Sequence, residues 1–110
     1  MTAAKPASRR DRYDEVVGST EALRGGRIPA VSDCLRLHGV DPLRCVLYCW
    51  IPEQEEDVFL LMTPGYMVAS VAVPRDGGVA RFESERLQKG RRTRTLDYAF
   101  RWMRTGRQPA

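Results

Sequence analysis

Residues 44–85, RCVLYCWIPEQEEDVFLLMTPGYMVASVAVPRDGGVARFESE, decide the fold of this chain. The stretch holds three short runs that are almost wholly apolar, at 45–51, 58–62 and 67–73, and a fourth at 79–85 that alternates. Runs of this length, rich in β-branched and aromatic residues, are typical of β-strands. Proline and glycine turn signals separate them. Three short connections in succession predict an antiparallel β-meander.

Two helical patterns precede the strands. The first carries its inner residues at helical spacing, begins after Ser8 and ends at Gly25 and Gly26. Its inner stripe is Tyr13, Val16, Val17, Thr20 and Leu23. The second begins at Pro29 and stops at Gly39. Its inner side is predicted to hold Val31, Cys34, Leu35 and His38.

A third helical pattern follows the strands. Thr95 is its predicted cap, and its apolar stripe is Leu96, Ala99, Phe100 and Met103. The predicted fold class is therefore α+β: two N-terminal helices, a four-stranded antiparallel meander and a C-terminal amphipathic helix. We expect residues 1–7 to be a disordered tail and residues 8–107 to form a single domain. A cone-like sheet is the alternative architecture, which the order of the helices fits less well.

Length and composition narrow the class of protein. A chain of 110 residues with 43% hydrophobic and 29% charged residues is typical of one globular domain. No apolar run approaches the ~20 residues that span a bilayer, and the first residues lack the apolar centre of a secretory signal. We therefore expect a cytoplasmic protein that does not enter a membrane.

The three cysteines, with the single histidine, supply the ligand types of a zinc site. An odd number of cysteines cannot form a closed set of disulfides. Cys45 and Cys49 lie on a predicted strand, where four residues separate two side chains by ~13 Å. Only a helix over residues 42–51 would bring them together with Cys34 and His38. We therefore predict free thiols, with no bound metal and no cofactor.

Catalysis has weak support from the sequence. Cys34 precedes His38 by one helical turn, and such a pair can generate a reactive thiolate. No nucleophile elbow, phosphate-binding loop or metal-binding His-Glu motif accompanies it. A small-ligand enzyme with a pocket on the sheet is thus the third functional alternative, and its candidate catalytic residues are Cys34, His38 and Tyr48.

Positive charge is concentrated at both ends of the chain, whereas residues 13–80 hold ten acidic residues against five arginines. Basic residues cluster in the segment that follows the last strand, and they could track the phosphates of a nucleic acid. They are Arg86, Lys89, Arg91, Arg92, Arg94, Arg101 and Arg104. Nucleic-acid binding through this segment is the second functional alternative; the simpler interpretation is a solvated arginine face.

The first three strands carry apolar residues on both faces, although an antiparallel sheet with one solvated face should alternate. Three helices on one face would leave the other to meet a protein partner or a second copy. Helices divided between the faces would remove that need. We leave both arrangements open. The preferred function is a small non-catalytic binding or regulatory module that associates with itself through its sheet or last helix.

Overall fold

The computed structural model describes residues 9–65 and 67–86 together with 97, 99, 101 and 102. Its elements follow one another as two α-helices, a short 3₁₀ helix and four strands. They are α1 (Arg9–Arg24), α2 (Pro29–Leu37), the 3₁₀ helix Pro42–Arg44, β1 (Val46–Pro52), β2 (Glu56–Thr63), β3 (Met67–Pro74) and β4 (Arg81–Arg86). The sheet order β1-β2-β3-β4, with every neighbouring pair antiparallel, confirms the predicted α+β class and the meander.

Both helices end where glycine allows it. Gly26 has a φ of 75° and Gly39 a φ of 76°, a region that other L-residues rarely adopt. After α1, the amide of Arg27 donates to the carbonyl of Ala22 at 2.9 Å. This bond and its counterpart after α2 are those of the Schellman motif, which satisfies the last helical carbonyls. The sequence placed both helix ends correctly.

The two faces of the sheet contribute to separate apolar clusters, because successive residues of a strand point to opposite sides. We call face one the side of the sheet that carries Leu47 and Leu61, which belong to a buried cluster with residues of α1 and α2. On face two, Val46 and Met62 belong to a second cluster. The first cluster comprises Leu23, Val31, Cys34, Leu35, Cys45, Leu47, Leu61 and Val71. The second comprises Val16, Val46, Met62, Ala99 and Trp102.

Helix α1 runs beside β1, the outer strand of the sheet, and contributes to both clusters through Val16 and Leu23. Buried Thr20 meets the outward backbone groups of Leu47: the Leu47 amide donates to Thr20 Oγ1 at 3.0 Å, and the hydroxyl faces the Leu47 carbonyl at 3.4 Å. Arg24 donates through Nε and Nη2 to the carbonyl of Cys45. The helix therefore supplies side-chain partners for an edge that would otherwise be unpaired.

The predicted C-terminal helix is described only at Asp97, Ala99, Arg101 and Trp102, all of them helical, and as a whole it stays a prediction. Ala99 and Trp102 are buried against face two, whereas the residues of α2 pack on face one. Of the two arrangements left open, the described elements thus favour the one in which helical residues cover both faces. Phe100, Met103 and the predicted tail 1–7 lie outside the described residues. No described helix is long and apolar enough to cross a membrane.

Candidate functional site

The geometry of the Cys34–His38 pair argues against a thiolate nucleophile. His38 is the C-terminal cap of α2 and is exposed, whereas the sequence predicted it on the inner side of the helix. Its ring stacks on that of Phe82, with ring centroids 4.6 Å apart. Its Nδ1 lies 2.9 Å from the carbonyl oxygen of Cys34 and 4.0 Å from Cys34 Sγ. A carbonyl oxygen only accepts, so Nδ1 carries the proton and cannot take one from the thiol. Burial also raises the pKa of Cys34, which disfavours its thiolate.

Tyr48 does not join that pair. The pairing of β1 with β2 skips this residue, and its ring packs against the cluster on face two. Burial raises the pKa of Tyr48 to about 12, which keeps the phenol protonated at neutral pH. Cys34, by contrast, belongs to the cluster on face one. The three catalytic candidates of the sequence therefore do not form one site.

The potential zinc ligands are separated in the same way. Cys45 is buried with Cys34 in the cluster on face one, whereas Cys49 pairs with Leu60 on face two. All three cysteines are free thiols. Within residues 9–65 and 67–86 and the four described C-terminal positions, no three His, Cys, Asp or Glu side chains converge as metal ligands would.

The basic segment is described at two of its seven positions. Arg86, the last residue of β4, is exposed, and so is Arg101. Lys89, Arg91, Arg92, Arg94 and Arg104 lie outside the described residues. Nucleic-acid binding through this segment therefore stays a prediction.

Face two of the sheet is the candidate site that remains. Beyond its buried cluster, the strands align two further cross-strand rows of side chains. The Arg81 row, named for its last residue, is Ile51, Val58, Ala72 and Arg81; the Glu83 row is Cys49, Leu60, Ser70 and Glu83. Ile51 is 40% exposed, and the other residues of both rows on β1, β2 and β3 are half-buried. The two rows form a continuous, mostly apolar surface over three strands.

The β4 side of this surface is charged with both signs. Arg81 Nη2 bonds both carboxylate oxygens of Glu56, at 2.7 and 2.8 Å, yet its side chain remains 68% exposed. Glu83 and Glu85 are exposed on the same face of β4. A shallow depression of about 330 Å³ lies over Leu60, Val68 and Ser70 with these two glutamates at its rim. The arrangement suits a protein surface better than a small-molecule site, because the depression is shallow and open, whereas small-molecule sites enclose most of their ligand.

An exposed aromatic side chain, Trp50, lies on face one. Trp50 is 59% exposed and stacks on Phe59, with ring centroids 6.4 Å apart. Its indole N–H donates to Asp57 at 3.3 Å, and Arg75 pairs with the same carboxylate at 2.8 Å. These contacts hold the indole in place at the end of the β1–β2 hairpin. The stacked Trp50 is thus a fixed feature of the opposite face, separate from the two rows.

The sequence indicated which charged residues of β4 share a face, but not which apolar residues lie beside them. The alternation in 79–85 predicted that Arg81, Glu83 and Glu85 share a face. Which apolar residues lie beside them depends on strand register, and the irregularity of β1 at Tyr48 shifts that register by one residue. No motif marks such a shift.

Comparisons with known proteins identify no relative of this chain. No protein-family model matches the chain, and no curated protein or solved structure matches it significantly.

Proposed function

We propose that this protein is a small non-catalytic binding module that associates with itself through face two of its sheet. The observation that carries the proposal is the continuous apolar surface of the Arg81 and Glu83 rows. Single exposed apolar residues are common on proteins, but contiguous patches bordered by charge are characteristic of interaction sites. Ile51, Val58 and Leu60 are the apolar residues at its centre.

A second copy of the chain is the partner that the charges favour. A border that carried one sign would repel its own copy and select an oppositely charged protein. Here Arg81 and Glu83 lie two residues apart on the same face of β4. A two-fold axis can bring opposite charges of such a border together, so the surface can be complementary to itself.

The environments of the three catalytic candidates support the non-catalytic part of the proposal. Cys34 is buried with a raised pKa, His38 holds its Nδ1 proton toward a carbonyl, and Tyr48 packs on the other face. Enzymes instead bring such groups together in a concave site.

The proposal is tested by sedimentation equilibrium over a wide range of protein concentrations. The wild-type chain should rise from its monomer mass of 12.5 kDa toward twice that value. Ile51→Glu should weaken association by at least about tenfold, because a carboxylate buried in an apolar interface without a partner is costly. Ile51 is near the edge of the sheet and 40% exposed, so the fold should tolerate the change.

Leu37→Glu is the matched control. Leu37 is 80% exposed and is the last residue of α2, a helix that packs on face one, so it lies away from both rows. This variant introduces the same charge in place of an exposed apolar side chain and should associate like the wild type. A wild-type chain that stays at its monomer mass even at millimolar concentration would refute self-association.

A further inference from the structure

The Arg81 and Glu83 rows have a symmetry that constrains how two copies can meet. Along β4 the two rows are two residues apart, a distance of ~6.6 Å. The rows end in opposite charges, and next to those charges they carry the small side chains of Ala72 and Ser70. Further from β4, Val58 of one row stands beside Leu60 of the other. On β2, β3 and β4, exchanging the two rows therefore replaces each side chain by one of similar size or by its opposite charge; on β1 it exchanges Ile51 with the smaller Cys49.

We propose that two copies pack face to face about a two-fold axis that runs across the strands, midway between the Arg81 row and the Glu83 row. This inference rests on the self-association proposed above and specifies its geometry. The Arg81 row of each copy then faces the Glu83 row of the other. Arg81 meets Glu83 of the second copy twice, and Val58 meets Leu60 twice, across two sheets ~10 Å apart.

Other two-fold axes on this face are less favourable. An axis parallel to the strands would place β4 of one copy over β1 of the other, with Arg81 against Ile51. An axis along either row would bring Arg81 against Arg81, or Glu83 against Glu83. Like charges directly opposed are destabilising, as are charges that lose water without gaining a partner.

The next row cannot replace these two. It consists of Val46, Met62, Val68 and Glu85, and its first two residues are buried against Ala99 and Trp102. An axis between this row and the Glu83 row would also bring Glu83 against Glu85. Among the described residues, this next row is thus partly covered, whereas the two rows through which the proposed axis passes are half-buried or exposed along their whole length.

Arg81 can bind Glu56 of its own chain and Glu83 of the second copy at the same time. Both of its bonds to Glu56 come from Nη2. A guanidinium has five N–H donors in a planar fork, so Nε and Nη1 can donate to a second carboxylate. The 68% exposure of the side chain leaves room for that approach.

Charge exchange at these two positions provides the test. Arg81→Glu alone and Glu83→Arg alone should each weaken the dimer by at least about tenfold, since each change creates two like-charge contacts. Added salt should reduce that loss by screening. An equimolar mixture of the two single variants should form a heterodimer. The double variant Arg81→Glu/Glu83→Arg should recover most of the affinity that the single variants lose, although it still lacks the pair of Arg81 with Glu56. Sedimentation velocity measures all four samples.

Arg36→Glu is the control for a change of net charge alone. Arg36 is an exposed residue of α2, with a side chain 60% exposed, and its charge change equals that of Arg81→Glu. It should leave the dimer affinity within about twofold of the wild type, since it lies outside both rows.

Two different failures can be told apart. A wild-type dimer whose double variant remains as weak as the single variants would overturn the proposed axis and leave self-association standing. A wild-type monomer would refute both. Rescue in the mixture and in the double variant cannot arise from misfolding, because a variant that failed to fold would not regain affinity when its charges were matched.

Discussion

At the scale of single residues, the side chains of α1 that meet β1 are polar where the backbone of the strand is unpaired. Thr20 is fully buried and engages both backbone groups of Leu47. A hydroxyl can accept from an amide and donate to a carbonyl, which no apolar residue of the same size can do. In the sequence, Thr20 is only one member of the inner stripe of a helix. In the fold, its hydroxyl makes the hydrogen bonds to Leu47 that a neighbouring strand would otherwise make.

We predict that Thr20→Val lowers the free energy of unfolding by about 1–3 kcal/mol, because it leaves buried backbone groups of Leu47 without a partner at nearly unchanged volume. Thr20→Ser keeps the hydroxyl and should cost less, and it serves as the control. Urea unfolding followed by circular dichroism measures both. Equal stability of the valine variant and the wild type would show that the two hydrogen bonds contribute nothing net.

The Cys45 thiol makes the free energy of unfolding depend on pH in the alkaline range. Burial raises the pKa of this thiol from 9.0 to about 12. Above pH 9 the unfolded chain releases this proton while the folded chain retains it, so the free energy of unfolding falls as pH rises from 9 toward 12. The contribution of one such group is at most about 1.4 kcal/mol per pH unit.

We predict that this decline is shallower in Cys45→Ala, which has no thiol to ionise. The variant is less stable at pH 7 because it leaves a small cavity. The stability gap between wild type and variant should therefore narrow as pH rises from 8 to 10.5, in urea unfolding at constant ionic strength. Parallel curves for the two proteins would contradict the raised pKa. Tyr48 has a pKa raised in the same direction and contributes equally to both curves.

At the scale of elements, α1 is stabilised by its tertiary contacts more than by its own sequence. Gly18 lies in its middle, is exposed, and has no atom within 4 Å of the position that a Cβ would occupy. The glycine is therefore not required for close packing and only weakens the helix. Val16, Thr20 and Leu23 instead fix the helix to both faces and to the edge of the sheet.

We predict that Gly18→Ala raises the free energy of unfolding by about 0.5–1 kcal/mol, because alanine loses less backbone entropy in a helix. Gly26→Ala is the contrasting variant. Gly26 has a φ of 75°, so alanine there should cost about 1–2 kcal/mol. Thermal unfolding of both variants measures the two effects. A destabilised Gly18→Ala would mean that α1 meets a neighbour at that point.

At the scale of the whole molecule, the sheet is covered unequally. Residues of α2 pack on face one, and Ala99 and Trp102 on part of face two. On β1, β2 and β3, the residues of the Arg81 and Glu83 rows are half-buried or exposed, and none is fully buried. A chain of 110 residues can bury only a small core, so an apolar surface left partly solvated costs stability that association can recover. The dimer proposed above would bury this surface on the side that the described helical residues leave open.

The sequence by itself determined the two N-terminal helices, the four strands and the antiparallel pairing of those strands. Pro64-Gly65 and Asp76-Gly77-Gly78 mark tight turns, and short turns admit only antiparallel neighbours. Gly26 and Gly39 mark helix ends because few other residues adopt their backbone conformation. These are local effects, which depend on residues close together in the chain.

Only the tertiary structure decided which residues share a surface. The register of β1 changes at Tyr48, and this places Ile51 beside Val58 and Cys49 beside Leu60. It also places Cys49 on face two, opposite Cys45 and Cys34 on face one. His38 was expected to point inward from a helix and instead ends it, with its ring on Phe82. Such outcomes depend on contacts between residues far apart in the chain, whose energies are individually small and are fixed only when all the elements pack together.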